Sequence, residues 1–522
     1  MNNPGANPRQ AMKEDQSAVI AFLRDPSSYG ATVKRVELIE THISLVFLAG
    51  ERAYKLKRAV RYPYLDFSSA ERRRGACEAE LALNRRTAPS LYLEVRALSR
   101  LDGRVLFGQN GAAVDWVVVM ARFDESLLFD RLALAGRLSA SLLERLAEEI
   151  ARFHEAAERR PEYGGAEALV ATAEENERCL LAAPEGLFPE NAILDLGGAV
   201  RARIAALEPL AQTRRKEGKV RRCHGDLHLR NICLLGGKPT LFDCLEFSES
   251  LASIDTLYDL AFLLMDLEHR GLSAFANRVL NRYLDMTGDD KGLALLPLFL
   301  SLRAAIRAHV TGSTIAALRA IEAKAALEAE AKTYLAFAGG VMAPARPRLI
   351  AIGGVSGTGK TTLAQSLAPE LGARPGARVL RSDVLRKRLL GAPPETPLPP
   401  AAYRPAVTRL VYEALREKAA ETLASGYSAV VDAVLISPQE RAAVAAVAAR
   451  AGAPFTGLWL SAAPETLESR VGTRRGDASD ATVAVVREQL RQDPGGIDWF
   501  AVEAGGSPQE CLEAARSALK TG

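Results

Sequence analysis

The order of apolar and polar positions divides this chain before any chemistry is considered. Over residues 32–57, Val, Leu, Phe and Tyr are interspersed with charges in three short runs, 32–39, 44–49 and 53–57. A turn at Ala49-Gly50-Glu51 separates two of them, which predicts β-strands. A helix is expected over 70–86. Residues 114–123 (VDWVVVMARF) form a strongly β-prone run that suits a central strand. Beyond Arg137 the period changes: Leu142, Leu143, Leu146, Ile150 and Phe153 recur at three- and four-residue spacing, the mark of a helix with one apolar face. A further helix is expected at 194–212, ending in a basic segment at 214–222. Strands resume at 231–235 and 240–242, with Gly236-Gly237 as a hairpin signal. Residues 253–337 then read as Ala- and Leu-rich helix. A Gly- and Pro-containing break at 339–347 precedes a fresh apolar strand, a glycine loop and a helix.

Strands first, helices later, then a new strand–loop–helix unit predict a mixed chain, α/β and α+β. The expected architecture is an N-terminal two-lobed domain, then an α/β domain. The boundaries read as a disordered or loosely ordered tail (1–30), a first domain (31–338), a linker (339–347) and a second domain (348–522). At 522 residues the chain is too long for one core. Hydrophobic content of 48% and charged content of 25% are ordinary for a globular protein, and a net charge of +4 points to no particular partner. The six cysteines are scattered without a CxxC pair, so reduced thiols are expected rather than a disulfide frame or zinc site. No signal peptide is read in the polar first sixteen residues. The longest apolar stretch, 293–302, contains Pro297 and falls short of a membrane span. A cytoplasmic protein without membrane partners is the expectation.

Gly354-Val355-Ser356-Gly357-Thr358-Gly359-Lys360-Thr361 matches G-x-x-x-x-G-K-[ST] at every specified position, between a strand and a helix. Glycines let the backbone turn its N–H groups inward onto phosphate oxygens, and the helix read over 362–367 aims its positive end at the same place. Lys360 is expected on the β/γ-phosphates and Thr361 on Mg²⁺. The candidate nucleotide-binding positions are Gly354, Ser356, Gly357, Thr358, Gly359, Lys360, Thr361 and Thr362. A buried-type strand at 428–432 ends in Asp432, in the place of an acid that orders Mg²⁺. Another ends at Ser382-Asp383 and runs into Arg386-Lys387-Arg388. Farther on, Arg470 and Arg474-Arg475 suit a lid closing over phosphates.

The second constellation is His224-Gly225-Asp226-Leu227-His228-Leu229-Arg230-Asn231, followed by Leu241-Phe242-Asp243. Asn231 lies five residues after Asp226, and Asp243 twelve beyond that. Phosphoryl transfer needs an Asp to take the acceptor's hydroxyl proton, an Asn for one Mg²⁺, and a second Asp for the Mg²⁺ that bridges the phosphates.

On these motifs, residues 31–335 resemble the aminoglycoside phosphotransferase/choline kinase-like family, relatives of protein kinases with HGDxxxxN in place of HRDxxxxN. The resemblance implies Asp226 as catalytic base and Asn231 and Asp243 as metal ligands. It also implies Lys55 as the phosphate-binding lysine, with Lys57 the alternative, and Glu80 as its helix partner, with Glu78 the alternative. Asp255 and Asp259 would brace the catalytic loop, while His154, His228 and His309 are expected to be structural. The C-terminal part resembles small-molecule P-loop kinases of the gluconate kinase-, polynucleotide kinase- and zeta-toxin-like group. That implies Asp383 as base or substrate-orienting acid, Arg386 and Arg470 as substrate contacts, and Arg474, or Arg475, as a lid group. Together the halves resemble bacterial fusions of the two, which implies a two-lobed protein-kinase-like domain followed by a P-loop NTPase domain with a parallel sheet flanked by helices. The implied activity is a bifunctional ATP- and Mg²⁺-dependent kinase acting on hydroxyls of small molecules, nucleic acid not being an expected partner. Two alternatives stay open: a P-loop kinase regulated by a kinase-like sensor domain, and a toxin-like or nucleic-acid-end kinase.

Overall fold

The computed structural model describes residues 14–521 apart from 42, 63, 64, 109, 110, 316–320 and 474–477. The packing divides into two compact units, Met1–Gly164 with Arg215–Asp259, and Gly165–Arg214 with Leu260–Gly522.

The first unit begins with helix α1 (Ser17–Arg24). It continues into an antiparallel six-stranded sheet of β1 (Val36–Glu40), β2 (Ser44–Ala49), β3 (Arg52–Lys57), β4 (Tyr92–Leu101), β5 (Arg104–Phe107) and β6 (Ala112–Ala121), in the order β1-β2-β3-β6-β4-β5. The Val117-Val118-Val119 run lies in β6, between β3 and β4, and its side chains alternate between two apolar clusters. Val117 and Val119 pack with Phe47, Leu56 and Leu98, whereas Val118 packs with Cys77, Tyr92 and Trp116. A strand covered on both faces needs apolar residues at consecutive positions, which explains the run. The tail expected through residue 30 is corrected at α1, where Val19 and Leu23, one helical turn apart, are buried with Leu45 and Tyr54. The polar, Pro- and Asn-rich start of the chain hid this short amphipathic stretch. Helix α2 (Ala70–Asn84), capped by Ser69, follows β3. The second half of the unit holds α3 (Ala140–Ala156) and the hairpin of β7 (Ile232–Leu235) with β8 (Lys238–Leu241).

In the second unit, helices that include α4 (Ser273–Thr287) and α5 (Leu296–Ile315) accompany a five-stranded sheet. The sheet comprises β9 (Leu349–Gly353), β10 (Arg378–Arg381), β11 (Ala429–Asp432), β12 (Phe455–Ser461) and β13 (Phe500–Glu503), all parallel, in the order β10-β11-β9-β12-β13. Central β9 is again buried on both faces, Ile350 and Ile352 in one cluster and Leu349 and Ala351 in the other. This is the expected mixed α/β and α+β chain. The apolar stretch at 293–302 extends farther than the sequence suggested. Among the described residues, one helical segment, Asp290–Ile315, is long and apolar enough to cross a membrane, but 67% of its apolar window is buried inside the fold, as in a core helix.

Candidate active sites

In the first unit, the turn at Gly225 (φ +84°) places Asp226 at the start of its loop; a Cβ there would come within 3.0 Å of both Ala252 and Leu245. Asn231 donates from Nδ2 to the Asp226 carbonyl (2.9 Å) and to its Oδ2 (2.8 Å), and His228 Nε2 lies 3.3 Å from the same Oδ2. Behind the loop, buried Asp259 accepts from the backbone N–H of His224 (3.0 Å) and Gly225 (2.9 Å) and faces His154 Nε2 at 3.1 Å. Asp259 therefore braces the loop, whereas Asp255 accepts from Leu257 N at the head of the following helix. His224 Nε2 reaches the Phe242 carbonyl (2.9 Å), and Phe242 N donates to Asn231 O (3.0 Å), so the Asp226 loop and the Asp243 strand end are stitched together.

Asp243 is one of few non-glycine residues in the left-handed region, with φ +61°. Such strain persists where the surroundings enforce it. Here the Tyr92 hydroxyl accepts from Asp243 N (3.1 Å), and Asn84 Oδ1 from Cys244 N (2.8 Å). Lys55 Nζ lies 2.7 Å from Glu80 Oε1 and 2.6 Å from Asp243 Oδ1. Lys57, fully buried on the same strand, pairs with Glu80 and with Glu246. Both lysines thus engage Glu80, and Lys55 is the one paired with Asp243. Glu78 pairs with Arg74 on the exposed side of α2. Burial opposes ionisation of Glu80, but the two lysines outweigh it and hold its carboxyl at about 2. Burial likewise opposes the Lys55 ammonium, yet Asp243 and Glu80 keep it well above its ordinary value.

In the second unit, the loop after β9 leads into α6 (Lys360–Leu367), with Gly359 as N-cap. Gly354 is at φ +136°, and a Cβ on it would meet the Leu460 carbonyl at 2.5 Å, so only glycine fits that turn. Ser356, Thr358 and Lys360 are buried in the loop region, with Gly357 between them and Thr362 on the first turn of α6. Thr361 Oγ1 donates to Asp432 Oδ2 at 2.6 Å, and Arg381 Nε is 3.6 Å from that oxygen. A hydroxyl and a carboxylate oxygen side by side suit Mg²⁺, a hard cation that keeps part of its water shell. The Lys360 ammonium folds back onto the carbonyls of Gly354 (2.8 Å) and Val355 (3.0 Å), and Ser356 N donates to Gln489 Oε1 (2.8 Å). Asp383 lies in the first turn of α7 (Ser382–Leu389); burial first, and the Asp432 carboxylate second, push its carboxyl up, while the Ser479 hydroxyl works the other way.

The expected arginines sit differently. Arg386 is buried: its guanidinium donates to the Ala402 carbonyl (2.8 Å) and Thr408 Oγ1 (3.3 Å) and lies over the Tyr403 ring. It braces the segment after α7 instead of standing open to an acceptor. Arg470 donates to the Ala504 carbonyl (2.8 Å) beyond β13. Arg474 and Arg475 lie outside the described residues.

Two half-chain sites built on lysine, carboxylates and backbone amides define the class: both domains belong to kinase families, and the protein is a kinase. The phosphotransferase enzyme family matches residues 47–296, and an AAA domain family matches 349–493. Across 457 residues the chain is 32% identical to uncharacterized protein Rv2004c of Mycobacterium tuberculosis H37Rv, covering 86% of this chain and 88% of that one. Uncharacterized protein Mb2027c of Mycobacterium bovis matches to the same extent. The chain belongs to the family of these mycobacterial proteins. Among solved structures, a choline/ethanolamine kinase family protein from Mesorhizobium loti is 15% identical, covering 61% of this chain and 97% of its own (TM-score 0.37). A gluconokinase from Sinorhizobium meliloti 1021 is 23% identical, covering 34% and 93% (TM-score 0.25).

Several residues at these sites escaped the sequence reading. Glu246 could have been noticed as a second acid three positions past Asp243. Tyr92, Asn84 and Gln489 carry no local signal, because their partners lie roughly 130–160 positions away in sequence. Asp480 was missed as well; it accepts from Lys387 Nζ and Leu398 N, both at 3.0 Å, and from the Tyr403 hydroxyl.

Proposed function

We propose that the protein is a bifunctional ATP-dependent phosphotransferase, each half moving the γ-phosphate to a hydroxyl of a small molecule. The observation that carries this reading is the contact of Lys55 with both Glu80 and Asp243, alongside the Asp226–Asn231 pair. That is a complete phosphotransfer set in a chain that also holds an intact P-loop. ATP bound with Mg²⁺ supplies the transferable phosphoryl group at both sites.

In the first half, Lys55 is oriented by Glu80 for the nucleotide phosphates, and Asn231 and Asp243 are the metal ligands. Asp226 takes the hydroxyl proton as the acceptor oxygen attacks. The Asn231 side chain bonded to Asp226 Oδ2 orients that carboxylate. In the second half, the backbone N–H groups of the 354–361 loop and Lys360 hold phosphate oxygens, while Thr361 and Asp432 hold the metal. Asp383, whose proton affinity is raised first by burial and then by the Asp432 carboxylate, takes the acceptor's proton. Catalysis in both rests on positioning and charge stabilisation. Six free thiols support a reducing compartment, the cytoplasm.

The test is a metabolite-library phosphorylation screen with wild type, Asp226→Asn and Lys360→Met. Each substitution should remove a different product. If Asp226→Asn leaves every product unchanged, the first half is a nucleotide- or ligand-sensing regulator of the second.

A further inference from the structure

Strand β10 is an edge strand, with β11 on one side only. Such an edge presents unpaired backbone N–H and C=O groups, which folded proteins cover or blunt. Here α4 covers it, and α4 lies within the 47–296 stretch matched by the phosphotransferase enzyme family, outside the P-loop domain match. The coverage is specific. Asn281 Oδ1 accepts from Val379 N at 2.7 Å, and its Nδ2 donates to the Ala377 carbonyl at 3.1 Å. Asn277, one helical turn earlier, donates to the same carbonyl at 3.0 Å. Residues 377 and 379 point their backbone groups outward, while Arg378 N donates inward to Ser428 O at 2.9 Å. The Asn281 amide therefore supplies the acceptor and the donor that a neighbouring strand's peptide would have supplied.

A buried charge cluster locks the register. Arg378, fully within the fold, pairs with Asp290 (2.8 Å) and Asp285 (2.7 Å) and reaches Asn281 Oδ1 (3.1 Å), and Lys418 meets Asp290 at 3.1 Å. One residue past β10, Ser382 opens the helix that carries Asp383.

We propose that α4 is a working part of the P-loop kinase, with Asn281 and Asn277 serving as positioning residues that hold β10 in the register that delivers Asp383. The catalytic consequence rests on the role given to Asp383 above; the structural part does not. The P-loop site is then a composite of both family regions, and that tie explains why the two travel as one chain.

The test uses the full-length protein and Asn281→Leu, which keeps size but loses both bonds. Amide hydrogen exchange at Val379 should rise at least tenfold, while Ile350 and Val430 on interior strands stay within twofold. Lys360-dependent ATP hydrolysis, with water as acceptor, should lose at least tenfold in kcat with KM for ATP within twofold. Asn281→Asp keeps the bonds from Val379 N and Arg378 and should recover most of both losses. Should Asn281→Leu fail to fold, Asn277→Ala carries the same readouts with about threefold effects. Unchanged Val379 exchange overturns the proposal, as does a KM for ATP that rises in step with the loss of turnover. If wild type shows no Lys360-dependent hydrolysis, the functional reading of the second half fails. The exchange measurement alone then decides the positioning role.

Discussion

Glu80→Gln isolates the group on which the first site is organised. The side chain is fully buried and accepts from two ammonium groups, Lys55 at 2.7 Å and Lys57. A carboxyl held at about 2 against an ordinary 4.5 contributes about 3 kcal/mol of stability at neutral pH. An independent estimate agrees. Removing one partner of a buried ion pair costs about 3–5 kcal/mol, and the lower end applies here because Asp243 and Glu246 still neutralise the lysines. Because the folded pKa is depressed, this contribution is fully present above about pH 4.5 and is lost as pH falls toward 2. Urea unfolding of wild type and Glu80→Gln should therefore differ by about 3 kcal/mol at pH 7, and by about half of that near pH 3. In isothermal titration, MgATP uptake at the first site should weaken as Lys55 loses its orienting partner. A gap under 1 kcal/mol at pH 7, or one that widens on acidification, would refute the assignment of Glu80 as the charged hub.

Other consequences are as direct. Arg378→Met leaves Asp285 and Asp290 buried against too little positive charge and should cost about 3–5 kcal/mol in chemical denaturation. Gly225→Ala places a methyl against Ala252 and Leu245 at a φ of +84°; an expected loss of about 1–3 kcal/mol, with reduced transfer at the first site, is read by thermal melts and assay together. Lys55→Met should abolish that transfer while the protein stays folded, whereas Lys57→Met, which leaves buried Glu246 unpaired, should lower the melting temperature more; circular dichroism separates them. His309, in α5, has its imidazole pushed down to about 4 by burial, with the Glu175 carboxylate opposing, so the unfolded chain takes up its proton first. Stability from keeping it neutral is complete above about pH 6.5 and is lost as pH falls toward 4, and His309→Gln should flatten that part of the stability–pH curve.

What could be read ahead of the structure was whatever is encoded within a short span. The P-loop spans eight consecutive residues whose glycines are needed for backbone conformation, and the Asp226, Asn231 and Asp243 set spans 18 positions joined by one hairpin. The valine run of β6 gave away a strand buried on both faces. The choice between Lys55 and Lys57 could not be read, because residues two apart share a strand face and both in fact reach Glu80. Arg386 was expected as a substrate contact from the resemblance to small-molecule P-loop kinases, and its position in the chain does not say whether it faces a substrate or a carbonyl. Only packing reveals the Ala402 carbonyl and the Tyr403 ring beside it.

By itself, then, the order of residues determined the two kinase-family halves and the chemistry each can offer, since strands, glycine loops and catalytic spacings are written in local periodicity and backbone conformation. Only the tertiary structure decided which charges neutralise one another and what covers the outer edge of the second sheet. Glu80 with two lysines, Asp243 held by Tyr92, and Val379 capped by Asn281 are each pairings across tens of residues or more. Such contacts arise when the fold removes water from polar groups and each must find a partner, and which partner stands within 3 Å is a property of the packed chain.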